Sequence, residues 1–434
     1  MNRWKITCAG LILLVLPTLL MGQLYVSGNL TPSIMLRISD GSLINLPYRL
    51  GDLTLNYALG DFDLTTTLAV ETRWKDTEYK SDMLQLREAY ISWYPSFGEV
   101  KVGQLIHAWG AADANNPTDN LSPYDFYYMF LAGTDRKQGN LGLSLNTYYD
   151  DWQAQIVFTP EAKANRFPFN EPDFPINFPF EPETYEDLES PVEFGARIQR
   201  AFGFGDISMS YLKGHDQSFS LLALEGTPPT GIQPRFGYRD TDVLGLDFVA
   251  FPGDWTIRGE GGYFVTKAPE VDQLDPTSMI FSALPVEAKY WQYIFQLEYQ
   301  FANQVSVMAQ LLGTEVLDAD GLAPTTDGSM GVTLLTEDNF KAGLGTPFAM
   351  ISDRVAIISS MGTFFDNSLE LSGMGMINLE ETGYMISSGA EYSLWEGLNL
   401  IARLGYFIGG DEEGNRFREM EDFSNITLGI ELSF

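Results

Sequence analysis

The chain has 434 residues, of which 58 are Asp or Glu and only 26 are Lys or Arg, so its net charge is −32 at pH 7. So acidic a surface repels nucleic acid and the anionic lipid of the inner leaflet, and it argues against both as partners. The sequence is also 45% hydrophobic and 13% aromatic, too apolar for an acidic disordered protein. An apolar surface that faces something other than water would reconcile these two properties.

Residues 1–22 have the layout of a secretory signal peptide. Arg3 and Lys5 form a basic start, and an apolar run follows, which contains Pro17 and the only cysteine, Cys8. The alternative is a membrane anchor, but the run of about 17 residues is short for a spanning helix. We predict export and a mature start at Gln23. The mature chain then has no thiol and no disulfide.

After residue 22 the recurring pattern is alternation of apolar and polar residues, which predicts β-strands. It is clearest in residues 62–74, 152–158 and 291–301. These runs last about 9–13 residues, the length of a tilted membrane-crossing strand, whereas strands in soluble sandwiches are shorter. Aromatic residues lie at their ends, as in the girdles of outer-membrane barrels: Trp74, Trp152, Trp291, Phe301 and Phe434. The alternative is a secreted β-sandwich, propeller or solenoid.

Short and long connections alternate along the chain, as in an outer-membrane barrel with periplasmic turns and outer loops. The tight turns are predicted at 59–62, 94–98, 149–152, 202–206, 251–255, 301–304, 362–367 and 395–399. The longer segments are 39–47, 75–83, 107–135, 160–190, 214–240, 266–288, 316–347 and 409–421, with a short link at 380–383. This count predicts an all-β, antiparallel, up-and-down barrel of 18 strands over residues 23–434, with both termini periplasmic. Two short segments that proved to be loop hairpins would reduce the number to 16 or 14.

Residues 87–126 carry the most specific motif in the chain. Its matching positions are Arg87, Glu88, Ala89, Tyr90, Val102, Gly103, Gln104, Trp109, Gly110, Asn116, Pro117 and Asp119. The stretch resembles an uncharacterised family of Gram-negative outer-membrane barrels with a Trp-Gly and Asn-Pro-x-Asp signature, and more distantly the alginate-export porins. The resemblance implies a passive channel but no particular solute. An acidic residue often follows the Trp-Gly pair in that family, whereas this chain has Ala111 and carries Asp113 instead.

The segment 107–135 is long enough to fold back into a barrel and narrow it. Its flanking strands and its first half supply the candidate lumen-facing residues Glu88, Tyr90, Lys101, His107, Trp109, Asp113 and Asp119. The alternative is that Trp109 belongs to the aromatic girdle and Asn116-Pro117 forms an ordinary turn.

The inward positions of the other strands carry both signs of charge. The acids are Asp63, Glu71, Glu193, Asp247, Glu260, Glu298, Glu370, Glu391 and Glu431, and the bases are Arg73, Arg197, Arg258 and Arg403. Rings of charge can select solutes by sign, although paired charges can equally brace the wall. The excess of acids predicts a modest bias towards cations and neutral solutes.

Residues 163–191 contain six prolines and five phenylalanines among acidic residues, so regular strand pairing is not expected there. This segment could form a surface lid, a platform on which sugars stack, or an inert cover packed on neighbouring loops.

The sequence offers little for catalysis. Its only histidines are His107 and His215, and the latter lies in the loop sequence KGHDQS with Asp216 and Ser218. Residues so close together on one loop do not form a catalytic triad by spacing. We predict no enzyme activity, no metal and no cofactor.

The chain ends in an alternating strand, with Ile426, Leu428, Ile430, Leu432 and Phe434 on one face. An open strand edge in lipid leaves backbone groups unpaired, so this strand is predicted to close the barrel against the first one. The terminal Phe434 resembles the signal by which Gram-negative cells recognise and insert such barrels; the alternative is a hydrophobic last strand in a soluble protein.

The sequence therefore predicts a porin-like channel of the Gram-negative outer membrane for passive diffusion of small hydrophilic solutes. The expected partners are outer-membrane lipid, the barrel-assembly machinery and the solutes themselves, with the oligomeric state left open. Two alternatives stay open. One is a plugged barrel that acts as a surface receptor or adhesin, and the other is a secreted β-enzyme or binding module.

Overall fold

The computed structural model describes residues 23–75, 84–113, 115–131, 133–176, 192–225, 233–269, 280–324, 332–345, 352–412 and 414–434. The predicted signal peptide and residues 177–191 of the Pro- and Phe-rich segment lie outside these ranges. None of the helices in the described ranges is long and apolar enough to cross a membrane.

Most of the described chain is β-strand. The strands are β1 (Gln23–Leu30), β2 (Ser33–Arg37), β3 (Tyr48–Leu59), β4 (Phe62–Thr72), β5 (Leu84–Trp93), β6 (Gly98–Leu105), β7 (Asn140–Tyr149), β8 (Trp152–Glu161), β9 (Glu193–Phe202), β10 (Gly205–His215), β11 (Ser220–Glu225), β12 (Gln233–Gly237), β13 (Asp240–Ala250), β14 (Trp255–Lys267), β15 (Ile280–Ala283), β16 (Val286–Gln300), β17 (Val305–Pro324), β18 (Val332–Leu334), β19 (Arg354–Phe364), β20 (Leu369–Asn378), β21 (Gly383–Trp395), β22 (Leu398–Gly409) and β23 (Asn425–Ser433). The helices are single turns at Phe126–Tyr128, Gly133–Arg136, Arg416–Glu419 and Glu421–Phe423.

The strands form a closed antiparallel barrel of 18 strands, as the sequence predicts. β1 and β2 count as one strand interrupted at Thr31-Pro32, because β1 pairs with both β3 and β23 and β2 continues along β23. All eight predicted tight turns join neighbouring strands at one rim, here called the short-turn rim. The opposite end is the long-loop rim.

The barrel closes where its last strand meets its first. Asn29 is the register partner of Ser433, and Ser33 is the partner of Gly429. The backbone N–H of Phe434 donates to the carbonyl oxygen of Gly28 at 3.0 Å, and the N–H of Gly28 donates back to Phe434 at 3.0 Å. The C-terminal residue thus completes the ladder, so the sheet has no open edge at this seam.

The alternation of the sequence places one residue in two on the outside of the barrel. Leu64, Ile91, Ile156, Leu246 and Ile430 are among the many apolar side chains exposed there. The aromatic residues predicted to end the strands are exposed as well: Trp74, Trp152, Trp291, Phe301 and Phe434. An apolar exterior of this extent matches the lipid-facing band of a membrane barrel.

The long loops contain more regular structure than the sequence predicts. β11 pairs with β12 and β15 in a separate small sheet, and β18 pairs with the end of β17. β17 also continues to Pro324, although a loop is predicted from residue 316, because its pairing with β16 extends from Gln300 to Val286. Because β17 keeps β16 as its partner over this length, the two strands extend into the region predicted to be loop.

Candidate permeation site inside the barrel

The segment Ile106–Gln138, called the inserted loop, leaves the end of β6 and folds into the lumen. Its residues Asn115, Thr118, Asp119, Leu121 and Asp125 are all buried. Buried polar groups require hydrogen-bond partners, and most of these are supplied by the barrel wall, by the loop itself and by the segment packed against it.

Glu260 on β14 is the main wall contact of the inserted loop. Its Oε1 accepts hydrogen bonds from the backbone N–H groups of Ala111 and Ala112, both at 2.6 Å, and from Asn116 Nδ2 at 2.7 Å. Its Oε2 accepts from Thr118 Oγ1 at 3.0 Å. Hydrogen bonds to a buried carboxylate are among the stronger ones, so Glu260 fixes the loop across the lumen.

The part of the inserted loop around Asp113 is held by a second group of wall residues. The carboxylate of Asp113 pairs with Arg258 and accepts from Gln296 Nε2 at 2.7 Å. Gln310 Nε2 donates to the backbone oxygen of Asp113 at 2.8 Å. Glu298 lies 3.7 Å from Arg258, so these four side chains on β14, β16 and β17 form one polar network around Asp113.

Within the loop, Asp119 accepts from the backbone N–H of Trp109 at 2.9 Å and pairs with the buried Lys137 at 2.7 Å. Trp109 is buried and its Nε1 donates to Gln155 Oε1 on β8 at 2.8 Å. Trp109 therefore lies inside the barrel and not in the exterior girdle. The same contacts close the loop on itself and join it to β8, the neighbour of the strand that follows the loop.

His107 lies in the buried first turn of the inserted loop, and its backbone N–H donates to Ser122 Oγ at 2.8 Å. Burial, with smaller contributions from Lys137 and Lys101, lowers the pKa of His107 to about 4. The imidazole is therefore uncharged at neutral pH and adds no positive charge to the lumen.

The stem of the inserted loop is fixed near β3 and β5. Glu88 Oε1 accepts from the backbone N–H of Ile106 at 3.0 Å. Arg87 donates to Asp135 Oδ1 at 3.1 Å, and Arg49 donates to the backbone oxygen of the same residue. The loop is thus attached at its stem, along its length and at its far side.

The described part of the Pro- and Phe-rich segment, residues 163–176, packs against the inserted loop. The rings of Phe126 and Phe167 stack at 4.5 Å. Arg166 pairs with Asp125 at 2.9 Å and with the fully buried Glu71 at 2.8 Å. Of the three functions considered for this segment, the contacts of its described part match a packed cover.

Two further ion pairs fix this cover to the wall. Arg73, just after β4, pairs with Glu171 and donates to Asn45 O at 3.2 Å. Arg37, at the end of β2, pairs with Asp173. Arg73 and Glu71 thus bind the cover.

The two sides of the lumen consequently differ. In the filled half, formed by β7–β10, β13, β14, β16 and β17, the inserted loop covers most inward side chains. These include Ser144, Val157, Ser208, Ser210, Asp247, Gln296 and Gln310, all buried. Gln292, also buried, donates instead to Leu344 O at 3.2 Å. In the open half, formed by β19–β23, β1, β3 and β4, inward side chains between mid-depth and the short-turn rim stay partly or fully exposed, for example Asn56, Asp63, Thr67, Ser372 and Thr427.

Polar side chains of the open half form hydrogen bonds mainly with each other. Asn29 Nδ2 donates to Asp52 Oδ2 at 2.7 Å, Thr65 Oγ1 donates to Asn56 Oδ1 at 2.6 Å, and the hydroxyls of Thr54 and Thr67 lie 3.1 Å apart. Small or hydroxyl-bearing residues on β20, β21 and β23 continue this surface. Such a wall is suited to contact with water and hydrophilic solutes.

Three acids of the open half lie near the short-turn rim: Glu370, Glu391 and Glu431. Glu370 and Glu391 are register partners, and Asn399 Nδ2 donates to Glu391 Oε1 at 2.7 Å. Arg403 lies one pleat further into the barrel. It is exposed and has no ion pair among the described residues.

Several other predicted charges form ion pairs, at the boundary between the halves or in the filled half. Lys101 lies 3.2 Å from Glu99 and 5.5 Å from the ring of Tyr90, and Arg197 pairs with Asp247 at 3.0 Å. The unpaired charges of the open half are therefore mainly acidic.

The structure has an apolar collar near the long-loop rim, whereas the alternation of the sequence predicts a polar inner face. Inward side chains of β19–β22 form its wall: Val355, Ile357, Met376, Met385 and Phe407, all buried. Residues of the inserted loop and of the segment Gly414–Ser424 cover this wall. The sequence signal that could have revealed it is the occurrence of Met374, Met376 and Met385 at inward positions.

The segment KGHDQS does not form a catalytic arrangement. His215 lies 3.5 Å from Glu193 and 3.4 Å from Asp240, whereas Asp216 pairs with Arg239 at 2.7 Å. Ser218 accepts from Asn165 Nδ2 at 3.1 Å. Each side chain is directed to a different structural partner. Within the described ranges, no group of three His, Cys, Asp or Glu residues is placed to hold a metal ion.

Among comparisons with known proteins, those with solved structures bear on the fold. No family model matches the chain, and no curated protein does. Among solved structures, OccK8 (OprE) of Pseudomonas aeruginosa is similar with a TM-score of 0.53, at 10% identity, over 95% of this chain and 98% of that one. The fold is that of an outer-membrane porin.

Two further structures support the same conclusion. A BenF-like porin from Pseudomonas fluorescens Pf-5 has a TM-score of 0.52 at 11% identity, over 95% of this chain and 98% of that one. OccK2 (OpdF) of Pseudomonas aeruginosa, solved in complex with glucuronate, has a TM-score of 0.51 at 11% identity, over 95% and 97%. At these identities the likeness concerns the fold and not the solute.

Proposed function

We propose that the protein is a diffusion channel of the Gram-negative outer membrane for small hydrophilic solutes. The observation that carries this proposal is the open half of the lumen. There, partly exposed polar side chains line the inside of a closed barrel whose outside is apolar. A barrel of 18 strands is wide enough to hold water beside an inserted loop. The porin names of the structural neighbours support this reading.

In this proposal the short-turn rim and both termini lie in the periplasm, and the long loops face the outside. The proposal includes cleavage of the signal peptide before Gln23 and insertion by the barrel-assembly machinery through the strand that ends at Phe434. Membership of the uncharacterised barrel family, and the distant likeness to alginate-export porins, stay predictions because no family model matches.

The proposed selectivity is for cations and neutral solutes. Among the described residues of the open half near the short-turn rim, Glu370, Glu391 and Glu431 outnumber the unpaired Arg403. The lumen potential is then negative at neutral pH. An anion, such as the glucuronate bound in the OccK2 complex, would favour a positive lumen instead.

Planar-bilayer recording of the purified protein tests both parts. We expect discrete conductance steps and, in a KCl gradient, a reversal potential that indicates K⁺ preference. The preference should shrink at high salt, because the Debye length falls from about 10 Å at 0.1 M to about 3 Å at 1 M. A Glu370→Gln/Glu391→Gln/Glu431→Gln variant should lose most of it, and Arg403→Gln should increase it.

Absence of conductance from correctly folded protein would overturn the channel and favour the receptor or adhesin, in which nothing permeates. Conductance with Cl⁻ preference would leave the channel intact and overturn the selectivity.

A further inference from the structure

Three aromatic rings from three different parts of the chain meet at the apolar collar. Phe130 belongs to the inserted loop, Phe407 to β22, and Phe423 to the segment Gly414–Ser424. Their ring centroids are 6.0, 6.1 and 6.2 Å apart, the spacing of aromatic contacts. Phe407 and Phe423 are buried, whereas Phe130 is 37% exposed. The cluster thus presents one partly open ring.

Methionine side chains surround these rings. Met129 and Met420 are buried beside Phe130 and Phe423, and Met376 and Met385 belong to the wall of the collar. Methionine is flexible and adapts to partners of different shape. An apolar lining of this kind can repack when one of its parts moves.

The barrel wall is shaped to receive the segment Gly414–Ser424. A Cβ atom on Gly383 would lie 2.6 Å from the ring of Phe417, and one on Gly409 would lie 2.2 Å from the backbone nitrogen of Arg418. Both glycines are therefore needed for the segment to approach the wall so closely. Phe417, which is fully buried, fills the space above Gly383.

The parts that meet at the collar are not held equally well. The inserted loop is attached by buried contacts such as the one between Asp119 and Lys137 at 2.7 Å. Arg416 pairs with Glu419 within the segment and Arg418 pairs with Asp411 outside it, and both pairs are exposed. The carboxylate of Asp422 that Arg37 contacts is 71% exposed. Exposed ion pairs contribute little to stability, because water and salt screen them.

Three hydrogen bonds also tie the segment to the wall: Asn415 Nδ2 donates to Thr382 O at 2.9 Å, and the N–H groups of Phe407 and Gly409 donate to Ser424 Oγ at 3.0 Å and to Glu421 Oε1 at 2.9 Å. The segment is therefore held by its apolar side chains and these few bonds.

We propose that Phe130, Phe407 and Phe423 form a hydrophobic gate of the channel, which opens when the segment Gly414–Ser424 moves off the wall. This inference rests on the proposed function. Hydrophobic constrictions exclude hydrated ions because water leaves them, whereas a solute with an apolar face can replace the ring contacts. The solutes admitted are thus water-soluble molecules that carry an alkyl or aryl group.

Bilayer recording in KCl tests the gate with two independent variants. Phe130→Ser/Phe423→Ser makes the constriction polar, and Gly383→Leu prevents Phe417 from docking. Each should raise the mean KCl current about threefold or more. The matched control is Phe365→Ser, which removes a ring that is 75% exposed in a turn of the short-turn rim and should leave the current unchanged. The heat-shifted gel mobility of a folded barrel shows that each variant is assembled.

The class of solute is tested in the same recordings. In the wild type, benzylammonium should be more permeant than the Tris cation, and the Phe130→Ser/Phe423→Ser variant should reduce this ratio. Currents equal to wild type in both gate variants, or no preference for benzylammonium in the wild type, would overturn the gate while the channel stands. Absence of current from wild type and all variants would overturn the channel itself.

Discussion

The filled and open halves of the lumen have the same kinds of inward residues but different surroundings. Gln296 and Gln310 in the filled half are buried against Asp113, whereas Asn56 and Thr67 in the open half stay partly exposed. The difference comes from the inserted loop, which replaces water as the partner of one wall and leaves the other wall wet. An alternating strand therefore specifies that one face is polar, while the chain elsewhere decides whether that face meets protein or water.

The closing seam joins β23 to β1 and β2 within the open half, and the loss of one side chain should have its largest effect there. Phe434→Lys or deletion of Phe434 removes the exposed aromatic end of the closing strand, and deletion also removes its two backbone hydrogen bonds to Gly28. We expect the yield of membrane-inserted barrel to fall about tenfold or more, since an unpaired edge in lipid costs several kcal/mol per group. Ser433→Ala, on the inward face, is the control. Equal membrane yields would refute the role of Phe434 in assembly.

Removing the loop should make the filled half resemble the open half. Replacement of residues 111–130 by a short Gly-Ser turn deletes the contacts to Glu260, Gln296 and Gln310 and frees their wall. We expect the single-channel conductance to rise about twofold or more. A loop-shortened barrel that conducts like wild type would show that the inserted loop does not limit permeation.

A single substitution should loosen the same loop without removing it. Glu260→Ala leaves the donors of Ala111, Ala112 and Thr118 without their acceptor, whereas Asn116 Nδ2 keeps Ala112 O, and buried unpaired donors cost about 1–3 kcal/mol each. We expect more open-channel noise and a larger mean conductance. Asp206→Ala removes an acidic side chain from β10 at the short-turn rim, where it forms no hydrogen bond with the described part of the inserted loop, and should change neither. Similar traces for the two variants would mean that only the charge of Glu260 matters.

The smallest expected effect is a pH dependence of stability that arises from His107, which is buried in the inserted loop of the filled half. The pKa of His107 is lowered to about 4 by burial, so in acid the unfolded chain binds a proton before the folded chain does. Stability should therefore fall as the pH drops from about 6.5 to about 4, by up to about 3 kcal/mol.

His107→Gln should remove this part of the pH dependence. The urea midpoint for unfolding from lipid vesicles, measured at pH 7 and pH 4.5, compares the two proteins. An unchanged difference between these pH values in the variant would contradict the burial of a neutral imidazole.

The sequence predicts the barrel well because the information is local. Alternation within each strand and the tight turns, such as the one between Leu59 and Phe62, reveal the strand number without any distant contact. The interior depends on pairs far apart in the chain. Glu71 meets Arg166 and Ala111 meets Glu260, and neither partner can be identified from one sequence. The apolar collar was missed for the same reason, since its wall is covered only after the loops fold inward.

The seam between the first and last strands also constrains the order of events during folding. It joins Asn29 to Ser433, residues about 400 positions apart, and contacts of such separation form late because closing a long loop costs entropy. Pro32, which has no N–H to donate, interrupts the first strand at this seam and is bridged through its carbonyl oxygen by Ile430 at 3.1 Å. The cylinder can therefore be completed only after the whole chain has been delivered. Until then the first strand must be shielded from pairing with other chains.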